Sequence, residues 1–235
     1  LNPTIIFELC AESLDACLCA KPGGADRIEL CTQLHLGGLT PAHELTVQSV
    51  QQSGLPIHIL LRPHDQGYVY TYDEFKSLCD EIDFCREAGV AGVVLGILLP
   101  DNRIDVARLQ TMVSLAGPME VTFHRAFDAA PNIDIDDALE DVIAAGCKRI
   151  LTSGGKPDVL TGADALARLV TRAAGRIAIA CGGGLRMENA QAVRQISGAT
   201  HFHSSLATPP VMKSAEDATA LKSRIHAMVQ LLHES

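Results

Sequence analysis

Glycine recurs along this chain at an almost fixed interval, at positions 23, 54, 89, 117, 146, 175 and 198. Each stands between a segment of helical period and a strand-like run, where a residue free to take positive φ can close a helix. The strand-like runs are 5–10, 27–31, 57–62, 92–97, 120–125, 149–153, 177–181 and 200–204. Each strand-plus-helix unit spans about thirty residues, the size of a parallel βαβ crossover. Eight such units in 235 residues predict an α/β fold, a closed (β/α)8 TIM barrel and not an open doubly wound sheet. No linker-like composition interrupts residues 1–235, so a single TIM-barrel domain is expected, with an extra C-terminal helix at about 215–232. Two helix starts are readable. Thr40-Pro41 predicts an N-cap followed by a first-turn proline. Thr71 with Glu74 predicts a capping box ahead of Phe75, Leu78, Ile82 and Cys85 at helical spacing.

Several partner classes are disfavoured at once. No run of eighteen apolar residues predicts a membrane span, and no basic leader with a short apolar stretch marks a secretory signal. Nineteen basic against twenty-eight acidic residues leave a net charge of −9, which repels nucleic acid and anionic lipid. The eight cysteines lie mostly within apolar periodic segments, where free thiols behave as small buried hydrophobes. A reducing, cytoplasmic compartment is therefore expected.

Barrel strands covered by helices should be apolar on both faces, yet several here alternate. Phe7 and Leu9 oppose Glu8 and Cys10; Ile28 and Leu30 oppose Arg27, Glu29 and Cys31. Ile59 and Leu61 oppose Leu60 and Arg62; Val121 and Phe123 oppose Glu120, Thr122 and His124. The apolar sets must meet the helices, which turns Glu8, Glu29, Arg62 and His124 toward the barrel axis. Their places near the C-terminal strand ends match the rim where barrel enzymes keep their sites. The alternative is a structural lattice pairing Glu8 and Glu29 with Arg62 or Arg27. The echo of Phe7-Glu8-Leu9-Cys10 in Ile28-Glu29-Leu30-Cys31 further predicts equivalent side chains at equal depth in adjacent strands.

Gly182-Gly183-Gly184 after the seventh strand and Ser204-Ser205 after the eighth suit an anion, because these two loops often present backbone N–H groups to a phosphate. The loop after the third strand gathers Tyr68, Tyr70 and Tyr72, the chain's three tyrosines, as a candidate lid or a self-packed loop. His201 and His203 share one strand face, a weak metal pair that reads equally as ordinary bonded histidines. Cys10 and Cys31, at the ends of strands about 4.8 Å apart, are candidate ligands for a soft cation such as copper(I), or simply packed thiols. Cys17 and Cys19 diverge on a helix and are not taken as a ligand pair.

The joint pattern FELCAES, GGADRIELC, GGLTP, RP ahead of a Tyr-rich DEF segment, VTFHRAFD, RILTSG, GGG and FHSS resembles the CutC copper homeostasis family. The resemblance runs from about Phe7 to Ser205 and implies a cytoplasmic (β/α)8 barrel, often a homo-oligomer, that handles copper. It further implies Cu(I) binding through strand-end cysteines, here Cys10 and Cys31. The family's usual RPRGGDFCYS stretch reads RPHDQGYVYT here, without its second arginine and its cysteine.

Copper leaves no task for Glu8, Glu29, Arg62, His124, Arg125, Asp128 or the glycine turn. The alternative is an isomerase-, epimerase- or aldolase-like enzyme acting on a small phosphorylated or carboxylated metabolite, with those six side chains as its candidate catalytic set. Glu8 or Glu29 would be the base, His124 an acid or electrophile, and Arg62 and Arg125 anion clamps, over a phosphate seat of Gly182, Gly183, Gly184, Ser204 and Ser205. No lysine stands at an inward strand end for a Schiff base, and no organic cofactor is implied.

Overall fold

The computed structural model describes residues 4–129, 134–208, 211–212 and 214–234. Its strands are β1 (Ile6–Ala11), β2 (Arg27–Leu30), β3 (Ile57–Leu60), β4 (Gly92–Leu95), β5 (Glu120–Phe123), β6 (Arg149–Thr152), β7 (Ala178–Cys181) and β8 (His201–Ser204). They pair in parallel in chain order, and β8 returns to β1 to close a barrel. The helices are α1 (Leu14–Gly23), α2 (His43–Gln52), α3 (Tyr72–Glu87), α4 (Val106–Ala116), α5 (Ile135–Ala145), α6 (Ala163–Ala173), α7 (Ala190–Ser197) and α8 (Ala215–His233). This is the (β/α)8 TIM barrel that the glycine spacing predicts. The helix expected beyond β8 is α8, which packs against α1 and α7 and completes the ring. No helix among the described residues is long and apolar enough to cross a membrane.

Local chemistry explains the element ends. Thr71 and Glu74 form the expected capping box at the start of α3. Thr40 does not cap α2: the chain stays extended through Ala42, the actual N-cap, and the Thr40 hydroxyl instead accepts the Arg62 N–H at 2.8 Å. The left-handed closure of α1 falls on Gly24 (φ 92°), not on Gly23. Gly23 is needed for contact, because a Cβ there would lie 2.7 Å from Ile225 Cβ on α8.

The apolar core lies between the sheet and the helical ring. Phe7, Leu9, Ile28, Leu30, Phe123 and Phe202 all point outward from the strands and are at most 1% exposed. Each contributes roughly 1.5–3 kcal/mol by burial. The barrel interior, commonly packed with branched aliphatics, is charged near its N-terminal end. Glu8 pairs with Arg27, while Arg149 donates to Glu120 at 2.8 Å and to Thr122 at 2.9 Å. His58 lies 3.8 Å from Glu120. A buried ion lattice therefore exists, with Arg27 and without Arg62, and it occupies the lower barrel only.

The strand register overturns the equal-depth expectation. Glu8 is opposite Arg27, and Cys10 is opposite Glu29. The stagger that closes a barrel shifts β2 by two residues relative to the sequence echo. Glu29 therefore stands beside Cys10, one layer above Glu8.

Candidate functional site

A cavity of about 620 Å³ opens at the C-terminal end of the barrel. Its floor and walls include Cys10, Glu29, Arg62, Tyr68, His124 and His203, and its rim includes Arg125, Gly183, Gly184, Ser205, Arg186 and Arg224. The structure thus brings together most of the side chains that alternation assigned to the barrel axis. Glu8 is the exception. It lies below the cavity, held by Arg27 and by the His203 ring, whose Nδ1 is 2.7 Å from Oε1. Burial would raise its pKa, but the Arg27 charge and the His203 hydrogen bond prevail and hold it well below the usual carboxylate range. It is a support for His203 and has no free oxygen for a substrate.

Glu29 has the opposite surroundings. It is 4% exposed, its Oε1 is 3.8 Å from the Cys10 thiol, and its Oε2 is buried with no partner among the described residues. Burial pushes it up to about 7, against the attraction of His203. Cys10 Sγ is 3.7 Å from Cys31 Sγ. The Cys31 contact, burial and the neighbouring carboxylates push the Cys10 thiol well above its ordinary value. Burial would depress His203, but Glu29 and Glu8 raise it. One ligand atom each from Cys10, Glu29 and His203 lies within 4.8 Å of the others.

Across the cavity, His124 Nδ1 accepts the Ala126 N–H at 3.1 Å. The neutral ring therefore carries its proton on Nε2, which is buried and unpartnered. Burial and the Arg62 charge depress His124 to about 3, so at neutral pH the ring is an uncharged donor and not an imidazolium. Gly96 permits this placement, since a Cβ there would stand 2.4 Å from His124 Nδ1. Tyr68 packs on the His124 ring at 4.9 Å between centroids and under the Arg62 guanidinium at 5.2 Å. Arg62 Nη1 is held by the Leu36 and Gly38 carbonyls, while its Nε is buried and unpartnered. Of the tyrosine loop, Tyr68 meets the site, Tyr70 is buried and Tyr72 is 71% exposed.

Asp128 is saturated. It accepts bonds from the Thr152 and Ser153 hydroxyls, the Ser153 and Gly155 N–H groups and Arg125 Nε. It fixes Arg125 at the rim and is a positioning residue. The five residues expected to seat an anion divide similarly. Gly182 donates its N–H to Thr152, and the Ser204 hydroxyl bridges the Leu185 carbonyl and the Leu206 N–H, so both are occupied structurally. Among the described residues, the N–H groups of Gly183, Gly184 and Ser205 have no partner. Arg186 and Arg224 were not anticipated from sequence. They come from the β7–α7 loop and from α8, outside the strand-end pattern, and Arg224 Nε is buried and unpartnered.

The CutC family model matches residues 5–208. The chain belongs to the CutC family. The CutC family protein of Chromobacterium violaceum is 43% identical over 200 residues, 85% of this chain and 80% of that protein. The Xylella fastidiosa (strain Temecula1) member is 39% identical over 199 residues, 85% and 74% of the two chains. CutC from Streptococcus agalactiae, a protein whose name assigns it to copper homeostasis, superposes with a TM-score of 0.81 at 29% identity, over 86% of this chain and 99% of that one. The N-(5'-phosphoribosyl)anthranilate isomerase of Pyrococcus furiosus, at 13% identity and a TM-score of 0.59 over 96% and 99% of the two chains, shares the fold alone.

Proposed function

We propose that this CutC-family barrel is an enzyme that binds a small anionic metabolite across its C-terminal mouth and acts at a carbonyl or hydroxyl carbon. The observation that carries this reading is the convergence of unpartnered donors on one cavity: His124 Nε2, Arg62 Nε, Arg224 Nε and the Gly183 and Gly184 N–H groups. Buried donors left unpaired are costly, about 1–3 kcal/mol each, which applies to His124 Nε2, Arg62 Nε and Arg224 Nε, and an anionic ligand would satisfy these together with the more exposed Gly183 and Gly184 N–H groups. The Gly183–Gly184 turn, Ser205 and Arg224 form the seat for a phosphate or carboxylate, with Arg125 and Arg186 at its rim. His124 and Arg62 would polarise an oxygen on the opposite side, and Glu29 offers the floor's unpartnered carboxylate oxygen.

Inorganic phosphate, titrated calorimetrically into the full chain, tests this reading. Saturable binding weakened about tenfold in Arg224→Met, with the fold retained by circular dichroism, is expected. No saturable binding, or equal binding by the variant, overturns the assigned seat.

A second reading, copper(I) carriage in copper homeostasis, is favoured by the 3.7 Å separation of the Cys10 and Cys31 sulfurs. Two sulfurs suit a soft, low-coordinate cation that would be the cargo of the protein. All eight cysteines are unpaired, which supports a reducing compartment such as the cytoplasm. Titration of reduced protein with Cu(I) against a competing chelator separates this reading: Cys10→Ser and Cys31→Ser must both lose affinity.

A further inference from the structure

We infer that Cys10, Glu29 and His203 form a binding site for a divalent metal ion of borderline softness, of the Zn²⁺ kind, with its fourth coordination position open to the cavity. The sulfur, oxygen and nitrogen donors lie within 4.8 Å of one another, and Cys10 Sγ is 3.8 Å from Glu29 Oε1. Zinc–sulfur bonds of about 2.3 Å and zinc–nitrogen or zinc–oxygen bonds of about 2.0–2.2 Å put neighbouring tetrahedral ligands roughly 3.5 Å apart. Side-chain movements of little more than about 1 Å therefore close the set around an ion.

Two observations beyond proximity point to a cation. Glu29 Oε2 is buried, faces no donor among the described residues and belongs to a residue that is 96% withdrawn from solvent by its 4% exposure. His203 is prepared as a ligand, because its Nδ1 is held at 2.7 Å by Glu8, itself anchored by Arg27. When Nδ1–H donates to that carboxylate, the free lone pair is on Nε2, the arrangement in which a carboxylate orients a metal-binding histidine. This assigns Glu8, which has no access to substrate, an outer supporting role.

The donor set also discriminates between metals. A carboxylate and an imidazole with one thiolate match a borderline divalent ion, whereas copper(I) prefers the two sulfurs of Cys10 and Cys31. Cys31, fully buried behind Cys10, is not one of the three ligands proposed. Metal binding forms the metal–sulfur bond and releases the Cys10 thiol proton to solvent. Because all three ligands line the cavity, the ion would present its open position to a carbonyl or hydroxyl oxygen of the substrate, as three-ligand catalytic zinc sites do. That consequence rests on the proposed reading of the cavity; metal binding itself does not.

The test uses the full chain, stripped with a chelator and kept reduced. Zn²⁺ is titrated calorimetrically, and Co²⁺ is followed by its thiolate charge-transfer absorption. One-to-one binding with a thiolate band is expected. Glu29→Gln, which preserves shape, and Glu8→Gln, which weakens the support of His203 and also removes the countercharge of Arg27, should each weaken Zn²⁺ binding by about 10- to 100-fold with the fold retained by circular dichroism. Cys31→Ser should leave it within about twofold. Absence of the thiolate band in the unmutated protein overturns the inference whatever the variants do. So does loss of Zn²⁺ binding in Cys31→Ser with retention in Glu29→Gln, which would assign the ion to the cysteine pair. Phosphate titration is an independent readout: phosphate binding without Zn²⁺ binding removes this site alone, and Zn²⁺ binding without phosphate binding removes the anion seat alone.

Discussion

Two carboxylates face the upper barrel from opposite sides, and they lead different lives. At the β5–β6 corner, Asp128 accepts bonds from two hydroxyls, two backbone N–H groups and one guanidinium. On the β1–β2 floor, Glu29 has one weak thiol contact and one orphaned oxygen. The sequence places both in the same candidate set, Glu29 by strand alternation and Asp128 as the acidic residue of the VTFHRAFD segment. Their partners separate them. A saturated carboxylate contributes rigidity and holds Arg125 in place, whereas an unsaturated one retains capacity to bind something else. Saturated and unsaturated carboxylates thus stand on opposite sides of the cavity.

The largest expected effect follows from that division. Asp128→Ala orphans the Thr152 hydroxyl and the Ser153 N–H, leaves the Ser153 hydroxyl on the Lys156 carbonyl and the Gly155 N–H to solvent, and frees Arg125. At about 1–3 kcal/mol per buried donor, moderated by rehydration at the mouth, the loss should be on the order of 3 kcal/mol. For a chain of this size that is a fall in Tm of roughly 6–12 °C. Glu29→Gln removes a buried charge that lacks a bonded countercharge, so stability should change by less than about 1 kcal/mol or rise. Urea unfolding of both variants checks the contrast. Equal losses would break it.

Acid should sharpen the same comparison. Burial depresses His58 and His201 to about 4 and His124 to about 3, with nearby arginines adding to the effect and carboxylates opposing it at His58 and His201. These rings are neutral in the folded chain but protonate near pH 6.5 once unfolded. Each therefore contributes stability that is present above that pH and lost as pH falls toward 4. Glu29 has the opposite sign: raised to about 7 in the fold, it favours the folded state as pH falls from about 7 to 4.5. Between pH 6 and 5, three histidines against one carboxyl leave a net uptake of about two protons on unfolding. Stability should drop by roughly 2–3 kcal/mol per pH unit. In Glu29→Gln the opposing proton is gone, and the slope should steepen to roughly 3–4 kcal/mol per unit. An unchanged slope in the variant would show that Glu29 does not hold a proton in the folded state.

The fold was legible because its signals are local. Alternation and glycine spacing located all eight strands to within two residues at every end, and the size of each unit gave the parallel connection. The axis-facing polar residues of the mouth were legible for the same reason, since side-chain period fixes which face Glu29, Arg62 and His124 take. Depth was not. The barrel stagger sets Glu8 opposite Arg27, and no strand read alone reveals that shift. Nor was saturation legible, because Asp128 is filled by Thr152 and Ser153, which are 24 and 25 residues away. Arg224 reaches the mouth from α8 and gives no strand-end signal. Gly96 did carry one: a glycine inside a strand-like run marks close approach of another group, here the His124 ring.

The smallest effect expected concerns how the rigid corner reaches the proposed anion seat. Gly183 has φ +98°, and a Cβ there would stand 2.8 Å from the Arg125 Cζ atom. Gly184, also at positive φ (+82°), would instead meet Asp158 Cβ at 3.1 Å. Alanine at either position should incur a similar backbone strain of about 1–2 kcal/mol, but at position 183 alone it also displaces the guanidinium that Asp128 and Ser153 fix. If the saturated corner serves the seat through Arg125, Gly183→Ala should weaken inorganic phosphate binding about threefold more than Gly184→Ala, a difference near 0.7 kcal/mol, with the two variants matched in urea stability. Equal weakening would confine the seat to the turn's own N–H groups and leave Asp128 with a purely structural task.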